Sequence, residues 1–332
     1  VSPDEIERVA RLADAAMKRG ESWEAGMRQC LVAVLSSPKF LFRMEIDDQP
    51  YNADAHPINE FQLATRLSYF LWSTCPDDEL LSYALGVDRI DPKADVPAGV
   101  RRRFDRMIAR RATGEPVQLI TGHAVFRGLE IVARPGVFVP RDSTEYLAEQ
   151  AIRRLRGRRR PVAVDLATGG GTVALAIANE VRGVRVFGTD ISLTAVRVAR
   201  ENAAALHLRA TFIKGDLFGG LPAELEGRVD VITLHPPYVA RDELRELPEE
   251  IRRFEPVHTL SDRSLDGPGL VGRAASEGPR WLRPRGWLLI EVSPDRSRSV
   301  ASVLRRNGFG DVRSTMDGGF KVTRVLVGRW AG

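Results

Sequence analysis

The sequence predicts an α/β protein: a mostly parallel sheet with helices on both faces, preceded by an all-helical segment. Three observations carry this expectation. Beyond Pro161, short apolar runs at Val162–Leu166, 184–189, 210–213, Val229–Leu234 and 287–292 alternate with helical stretches, the pattern of strands buried on both faces. A glycine-rich turn follows the first run directly, at the end of the strand where open α/β sheets bind their ligands. Residues 1 to 86, by contrast, space their apolar positions at helical intervals.

Taken in order, Ser2-Pro3-Asp4-Glu5 opens a helix. It offers a serine N-cap, a proline at the first helical position and a glutamate three residues after the serine. Ile6, Val9, Leu12, Ala13 and Met17 continue it and Gly20 ends it. Ser22 caps a second helix through Leu35, Asn59 a third carrying Leu63, Leu67, Phe70 and Leu71, and Thr74 with Pro76 a fourth. Tyr69, Phe70 and Trp72 read as core. A helix from Asp95-Val-Pro97 runs through Phe104, Met107 and Ile108 to Arg110 and Arg111, and Gly114-Glu115-Pro116 breaks it. Residues 117–119, 124–126 and 129–133 alternate like short strands, with Gly122 and Gly128 at the turns. Asp142 and Glu145 are spaced as a capping box for the next helix. Residues 320–328 add a late strand. The expected organisation is a helical domain at 1–112, a β-hairpin linker at 113–139 and the sheet domain at 140–332.

The net charge is +5, and only five of the 49 basic residues are lysine. Arginine therefore carries the basic character, clustered at Arg153, Arg154, Arg156, Arg158, Arg159 and Arg160, and again at Arg101, Arg102, Arg103, Arg106, Arg110 and Arg111. Such clusters suit proximity to RNA or the ribosome, since guanidinium groups meet phosphate by bidentate contacts; they equally suit a solvated helix end among acidic neighbours. No apolar stretch reaches the roughly 20 residues of a membrane span, and residues 1–20 lack a signal peptide's apolar run. A soluble, cytoplasmic protein is the expectation. Cys30 and Cys75 stand in no metal-ligating spacing and read as packed thiols.

Chemistry is concentrated at the ends of successive apolar runs. Asp165-Leu-Ala-Thr-Gly-Gly-Gly171 places glycines where backbone must approach a ligand. Its spacing is neither GxGxxG nor a P-loop, and an acidic residue before the turn suits a ligand bearing an amine. Asp190 ends the second run, where a carboxylate can accept both hydroxyls of a ribose. Asp216 ends the third. His235-Pro236-Pro237-Tyr238 ends the fourth: two prolines stiffen the backbone and donate no hydrogen bonds, which leaves the preceding carbonyls for a substrate. Glu291 closes the fifth run and is placed either to face the site or to serve the fold. His123, His207 and His258 have no mutual metal spacing and read as surface or packing residues. No metal is required.

From residue 87 to 330 the ordered set Gly114-Glu-Pro-Val-Gln-Leu-Ile-Thr-Gly122, Pro140-Arg-Asp-Ser-Thr-Glu145, the Asp165 loop, Asp190-Ile-Ser192, Asn202-Ala203, Gly215-Asp216-Leu217, His235-Pro-Pro-Tyr238, Phe254-Glu255-Pro256, Leu260 and Asp266-Gly267 resembles the release factor glutamine methyltransferases. The resemblance implies a Rossmann-like class I fold with a late antiparallel strand, and S-adenosyl-L-methionine as cofactor. It assigns cofactor binding to Asp165, Ala167, Thr168, Gly169, Gly170, Gly171, Asp190, Ile191, Asp216, Leu217 and His235, with Leu217 against the adenine. It assigns the grip on a glutamine amide to His235, Pro236, Pro237 and Tyr238, and makes the partner a release-factor-like protein of the translation apparatus. An amide nitrogen is a poor nucleophile, so acceptors aimed at its N–H bonds and a ring over its plane must orient it.

Two departures stand out. Ala167 replaces the loop's first glycine, a change that a negative φ would tolerate. His235 replaces an asparagine whose carbonyl receives the amide, and a neutral imidazole offers a single acceptor nitrogen. Two other readings remain open: methyl transfer to an exocyclic base amine of RNA or DNA, and a cofactor-binding pseudoenzyme. Residues 1–86, with Leu35-Ser-Ser-Pro-Lys-Phe-Leu-Phe-Arg-Met-Glu45, Leu63-Ala-Thr-Arg-Leu-Ser-Tyr-Phe-Leu-Trp-Ser73 and Pro76-Asp-Asp-Glu-Leu80, resemble uncharacterised helical domains of large bacterial proteins that often carry cytochrome c modules. No haem-attachment CxxCH is present here. A fusion with its boundary near Leu85-Gly86 is the expectation.

Overall fold

The computed structural model describes residues 3–20, 22–35, 98–237, 239, 243–261, 269–317 and 322–332, and elements are numbered over those residues. The chain forms two compact units, Val1–Asp95 and Val96–Gly332. In the first, α1 (Pro3–Lys18) packs against α2 (Trp23–Leu35). Gly20 at φ +81° ends α1, and the Ser22 hydroxyl accepts from Ala25 N at 3.3 Å at the head of α2, as the sequence predicts. Gly26 lets the helices approach: an added Cβ would lie 3.2 Å from Ala13 backbone. The buried Cys30 thiol donates to the Val9 carbonyl at 3.1 Å. Ser2, the helices expected from Asn59 and Thr74, the aromatics Tyr69, Phe70 and Trp72, Cys75 and the boundary near Leu85 lie outside the described residues.

The second unit begins with α3 (Ala98–Ala112). After Gly114, residues Val117–Thr121 form a short helix, α4, which corrects the strand expected at 117–119. Pro116 at φ −54° sets the helix up, and its carbonyl accepts from both Leu119 N and Ile120 N. The β-hairpin is present as β1 (His123–Phe126) and β2 (Leu129–Val132). Its turn carries positive φ at Arg127 and Gly128. The capping box expected at Asp142 and Glu145 does not form. Asp142–Thr144 is a 3-10 turn without a side-chain cap, and Glu145 Oε1 accepts from Arg127 N instead, tying α5 (Glu145–Leu155) to the hairpin turn.

The remaining elements are β3 (Val162–Leu166), α6 (Thr172–Glu180), β4 (Arg185–Asp190), α7 (Leu193–Ala205), β5 (Ala210–Lys214), β6 (Val229–Leu234), α8 (Glu249–Phe254), α9 (Val257–Leu260), α10 (Gly269–Trp281), β7 (Leu282–Glu291), α11 (Ser297–Arg306), β8 (Phe309–Asp317) and β9 (Val322–Trp330). The sheet runs β5-β4-β3-β6-β7-β9-β8, parallel through β7 with β9 antiparallel between β7 and β8. This is the class I methyltransferase fold. The sequence expectation contained one late strand; β8 is additional, and β7 starts at Leu282 rather than 287. Both faces are covered, and alternate residues divide between them. Val164, Ile232, Leu288 and Leu326 pack under α10 and α11, while Ala163, Val231, Leu289 and Val327 pack under α5, α6 and α7. Strands wrapped on both sides are why the sequence reads as continuous apolar runs.

Three arginines of the 153–160 cluster form ion pairs within the fold: Arg153 with Glu149, Arg156 with Glu180 and Arg158 with the buried Asp230. Arg154 lies 4.7 Å over the Trp287 ring. Much of that segment's charge is thus matched internally. No described helix is long and apolar enough to cross a membrane.

Candidate active site

The topology reverses between β3 and β6. From β3 the chain moves outward through β4 to β5, then returns to lay β6 on the other side of β3. Loops leaving β3 and β6 therefore diverge and leave a crevice at their C-terminal ends. Register brings the motifs together, because Asp165 pairs with Thr233 and Leu166 with Leu234, so the glycine turn and the diproline corner leave the sheet side by side.

The turn is built tightly. Thr168 N donates to Thr189 O at 2.9 Å, and Gly169 N donates to Asp190 Oδ2 at 2.9 Å, which links the loop after β3 to the tip of β4. Gly171, at φ +84°, has no room for a side chain: a Cβ would meet the Phe212 ring at 2.9 Å. Buried Asn202 on α7 braces the loop, its Nδ2 donating to Gly170 O at 2.9 Å while its Oδ1 accepts from Val132 N at 2.8 Å. Ala167 adopts φ +51°. The negative φ expected to accommodate alanine is not what the loop uses, since the turn out of β3 needs the left-handed region regardless of the residue present.

Asp165 and Asp190 differ in environment. Asp165 is buried beneath the turn; Oδ2 accepts from the Thr168 hydroxyl at 2.6 Å and Oδ1 from the Thr233 hydroxyl at 2.7 Å. Burial pushes its carboxyl up to about 6 against those two hydroxyls. Asp190 Oδ1 accepts from Ser192 N at 2.8 Å. Its carboxyl is also raised by burial, while the Ser192 and Gly169 amides and then His258 pull the other way. Each Asp190 oxygen accepts one bond from an amide and keeps acceptor capacity for another donor.

One cavity of about 330 Å³ joins these groups, within the range of small-molecule sites. Of the residues singled out in the sequence, Asp165, Ala167, Thr168, Gly169 and Gly170 line it on the β3 side, and Asp190, Ile191, Asp216 and Leu217 at the tips of β4 and β5. His235 and Pro237 line it from β6. Gly171 and Pro236 are not among its lining residues, and Tyr238 lies outside the described residues. Asp216 sits at the rim, half exposed and paired with Arg273 at 2.9 Å.

The cavity has further walls that the sequence reading did not assign. Val137, Phe138 and Thr144 close it between the hairpin and α5, and His258, Thr259 and Ser261 close it from the other side. A backbone bond from Val239 N to Leu260 O at 3.0 Å folds the α9 segment back onto the strand tips. His258 therefore faces the site, where its spacing alone suggests a surface or packing residue. Its one sequence signal was proximity to Phe254-Glu255-Pro256, whose buried Glu255 pairs with Arg141.

The His235 ring is packed edge-on against Phe138, with centroids 5.2 Å apart at 88°. Its Nδ1 lies 3.3 Å from Thr144 Oγ1 and 3.6 Å from Glu291 Oε2. Glu291, at the tip of β7, is buried, and its Oε1 accepts from the Ser143 hydroxyl at 3.2 Å.

Residues 163–254 match a family model described as a methyltransferase domain. Residues 1–45 and 58–123 match two families described as proteins of unknown function, DUF1595 and DUF1592. The release factor glutamine methyltransferase of Geobacter sulfurreducens is 33% identical over 75% of this chain and 87% of its own length. That of Burkholderia pseudomallei is 36% identical over 72% and 86%. This chain belongs to the release factor glutamine methyltransferase family. A Streptomyces pristinaespiralis relative named as a 4-amino-L-phenylalanine/4-methylamino-L-phenylalanine methyltransferase is also similar, 36% identical over 62% of this chain and 70% of its own length. Membership as a release factor glutamine methyltransferase homologue gives the two departures their meaning. Ala167 holds a positive φ in the glycine turn, and His235 puts an ionisable ring at the diproline corner.

Proposed function

We propose that this protein transfers a methyl group from S-adenosylmethionine to the side-chain amide nitrogen of a glutamine in a peptide chain release factor. The observation that carries the reading is the single cavity shared by Asp190, the glycine turn and the diproline corner. The residues present fit the cofactor. Asp190 offers unused acceptor capacity suited to a ribose diol, the apolar Leu217 and Ile191 flank it for an aromatic base, and the glycine turn leaves backbone open to a methionyl group. When bound, S-adenosylmethionine supplies an electrophilic methyl group on a positively charged sulfur.

The chain's own part is positional. Pro236 and Pro237 fix the backbone after β6, so that the carbonyls at this corner keep one direction. An amide plane held at the corner has its N–H bonds occupied by acceptors and its lone-pair face directed into the cavity. Phe138 and the α9 segment limit water at the reacting end. A cytoplasmic site of action accords with a translation factor as substrate.

A second reading, methyl transfer to an aromatic amine, has two observations in its favour: His235 departs from the amide-accepting asparagine, and a relative at 36% identity is named for an aromatic amine substrate. Both acceptors present a planar nitrogen. The deciding experiment offers methyl-labelled cofactor with release factors, total RNA and free 4-aminophenylalanine in parallel. Label in the release factor is the expected result; label confined to the amino acid or the RNA replaces the proposed substrate.

A further inference from the structure

We propose that Glu291 is a positioning residue that holds the His235 imidazole as its Nδ1–H tautomer, so that Nε2 is the lone-pair acceptor facing the methyl-accepting nitrogen and takes up its proton. The proposal rests on the methyl-transfer reading above. Glu291 and His235 end adjacent parallel strands, β7 and β6. Glu291 is 2% exposed, and its Oε2 makes no hydrogen bond among the described residues although it lies 3.6 Å from His235 Nδ1. A buried carboxylate oxygen without a donor is costly. The imidazole N–H is the group at hand to relieve it, by a small rotation of either side chain.

The Thr144 hydroxyl, 3.3 Å from the same Nδ1, could in principle donate to it and enforce the opposite tautomer. The charge decides between them, because a carboxylate is a much stronger acceptor than a hydroxyl, and Thr144 can rotate to accept. The hydrogen bond at one ring nitrogen sets the state of the other. Beyond the Phe138 ring that meets His235 lie Arg141, over that ring, and its partner Glu255, while Asp165, Asp190, His258 and Arg273 line the same cavity. Glu291 Oε2, 3.6 Å from Nδ1, comes within hydrogen-bonding reach on a slight shift.

An asparagine at this corner can hydrogen-bond the amide but has no basic site for its proton. A carboxylate-backed imidazole can also take a proton. The acceptor nitrogen gains the methyl carbon as the sulfur–methyl bond breaks and sulfur keeps the electron pair as a neutral thioether. The nitrogen then gives one proton to Nε2, and the imidazolium, stabilised by Glu291, releases it to water.

The test is nitrogen NMR of the labelled His235 ring in the wild-type protein and in Glu291→Gln, above neutral pH and without any acceptor. The expected wild-type spectrum shows protonated Nδ1 and bare Nε2, with Glu291→Gln shifting the proton toward Nε2. A protonated Nε2 in the wild type overturns the proposal. In turnover, Glu291→Gln is expected to lower kcat about 10- to 100-fold at unchanged cofactor affinity, with Glu291→Asp recovering part of it. In the His235→Asn background the same change should cost nothing further. An equal loss in both backgrounds makes Glu291 structural and also overturns the proposal. Correct tautomers with no methylated release factor would sink the substrate reading alone.

Discussion

Ala167 holds φ +51° at the mouth of the cavity, where an L-residue with a Cβ is strained by about 1 kcal/mol. Ala167→Gly should stabilise the protein by roughly 0.5–1 kcal/mol, read by urea unfolding; a loss of stability would mean the loop does not use the left-handed region. Asp165 sets a pH signature. Its folded-state carboxyl sits at about 6, against 3.8 for the free group, so the folded protein binds the proton more tightly than the unfolded chain. The ionised carboxyl therefore opposes folding above about pH 6, and the opposition fades as pH falls toward 4. Its share of the gain on acidification is on the order of 3 kcal/mol. Asp165→Asn should flatten that part of the stability–pH curve, and an unchanged slope would place the titration elsewhere. At the reacting end, His235→Ala should lower methyl transfer at least about 100-fold while cofactor affinity, measured by calorimetry, stays within a few fold. Full activity would remove His235 from the chemistry.

Asn202 is the element-scale joint, since its amide connects β2, α7 and the glycine turn. Asn202→Ala removes the side-chain partner of the partly buried Val132 N and of the buried Gly170 O, and should cost about 2–3 kcal/mol in chemical unfolding together with weaker cofactor binding. Loss of neither would show that the hairpin does not brace the turn. The parallel strands were legible in the sequence because burial on both faces writes an apolar run, as at Val162–Leu166 and Val229–Leu234. β8 was not: it is an edge strand whose residues, among them Asp311, Arg313 and Ser314, are mostly solvated, and no apolar run marks it. Val117–Thr121 was misread because five residues with alternating apolar positions fit a helical turn as well as a strand, and Pro116 settles the matter locally. The capping box failed for a tertiary reason, Glu145 being drawn to the hairpin turn. His258 reaches the site through a long-range backbone bond, a contact without a local pattern.

At the scale of the whole molecule, the sheet, its helices and the cavity lie within the unit that begins at Val96; a family model of unknown function matches 1–45 in the first unit, and another, over 58–123, runs across the boundary. A chain starting at Val96 should therefore fold and bind S-adenosylmethionine within about threefold of the full-length affinity; loss of binding together with loss of folding would make the preceding residues part of the domain. The carboxylates at successive strand tips and the corner after β6 were readable from spacing because topology alone places them at one end of the sheet. The walls from Val137 to Thr144 and around His258 depend on how loops fold back, which spacing does not encode. The central claim is that this cavity seats a methyl donor against a glutamine amide. Mass spectrometry of a release factor after incubation with the enzyme and cofactor tests it most directly. One added methyl group on a glutamine side chain, absent with His235→Ala, is the expected result; a release factor left unmodified by an enzyme that binds its cofactor refutes the assignment.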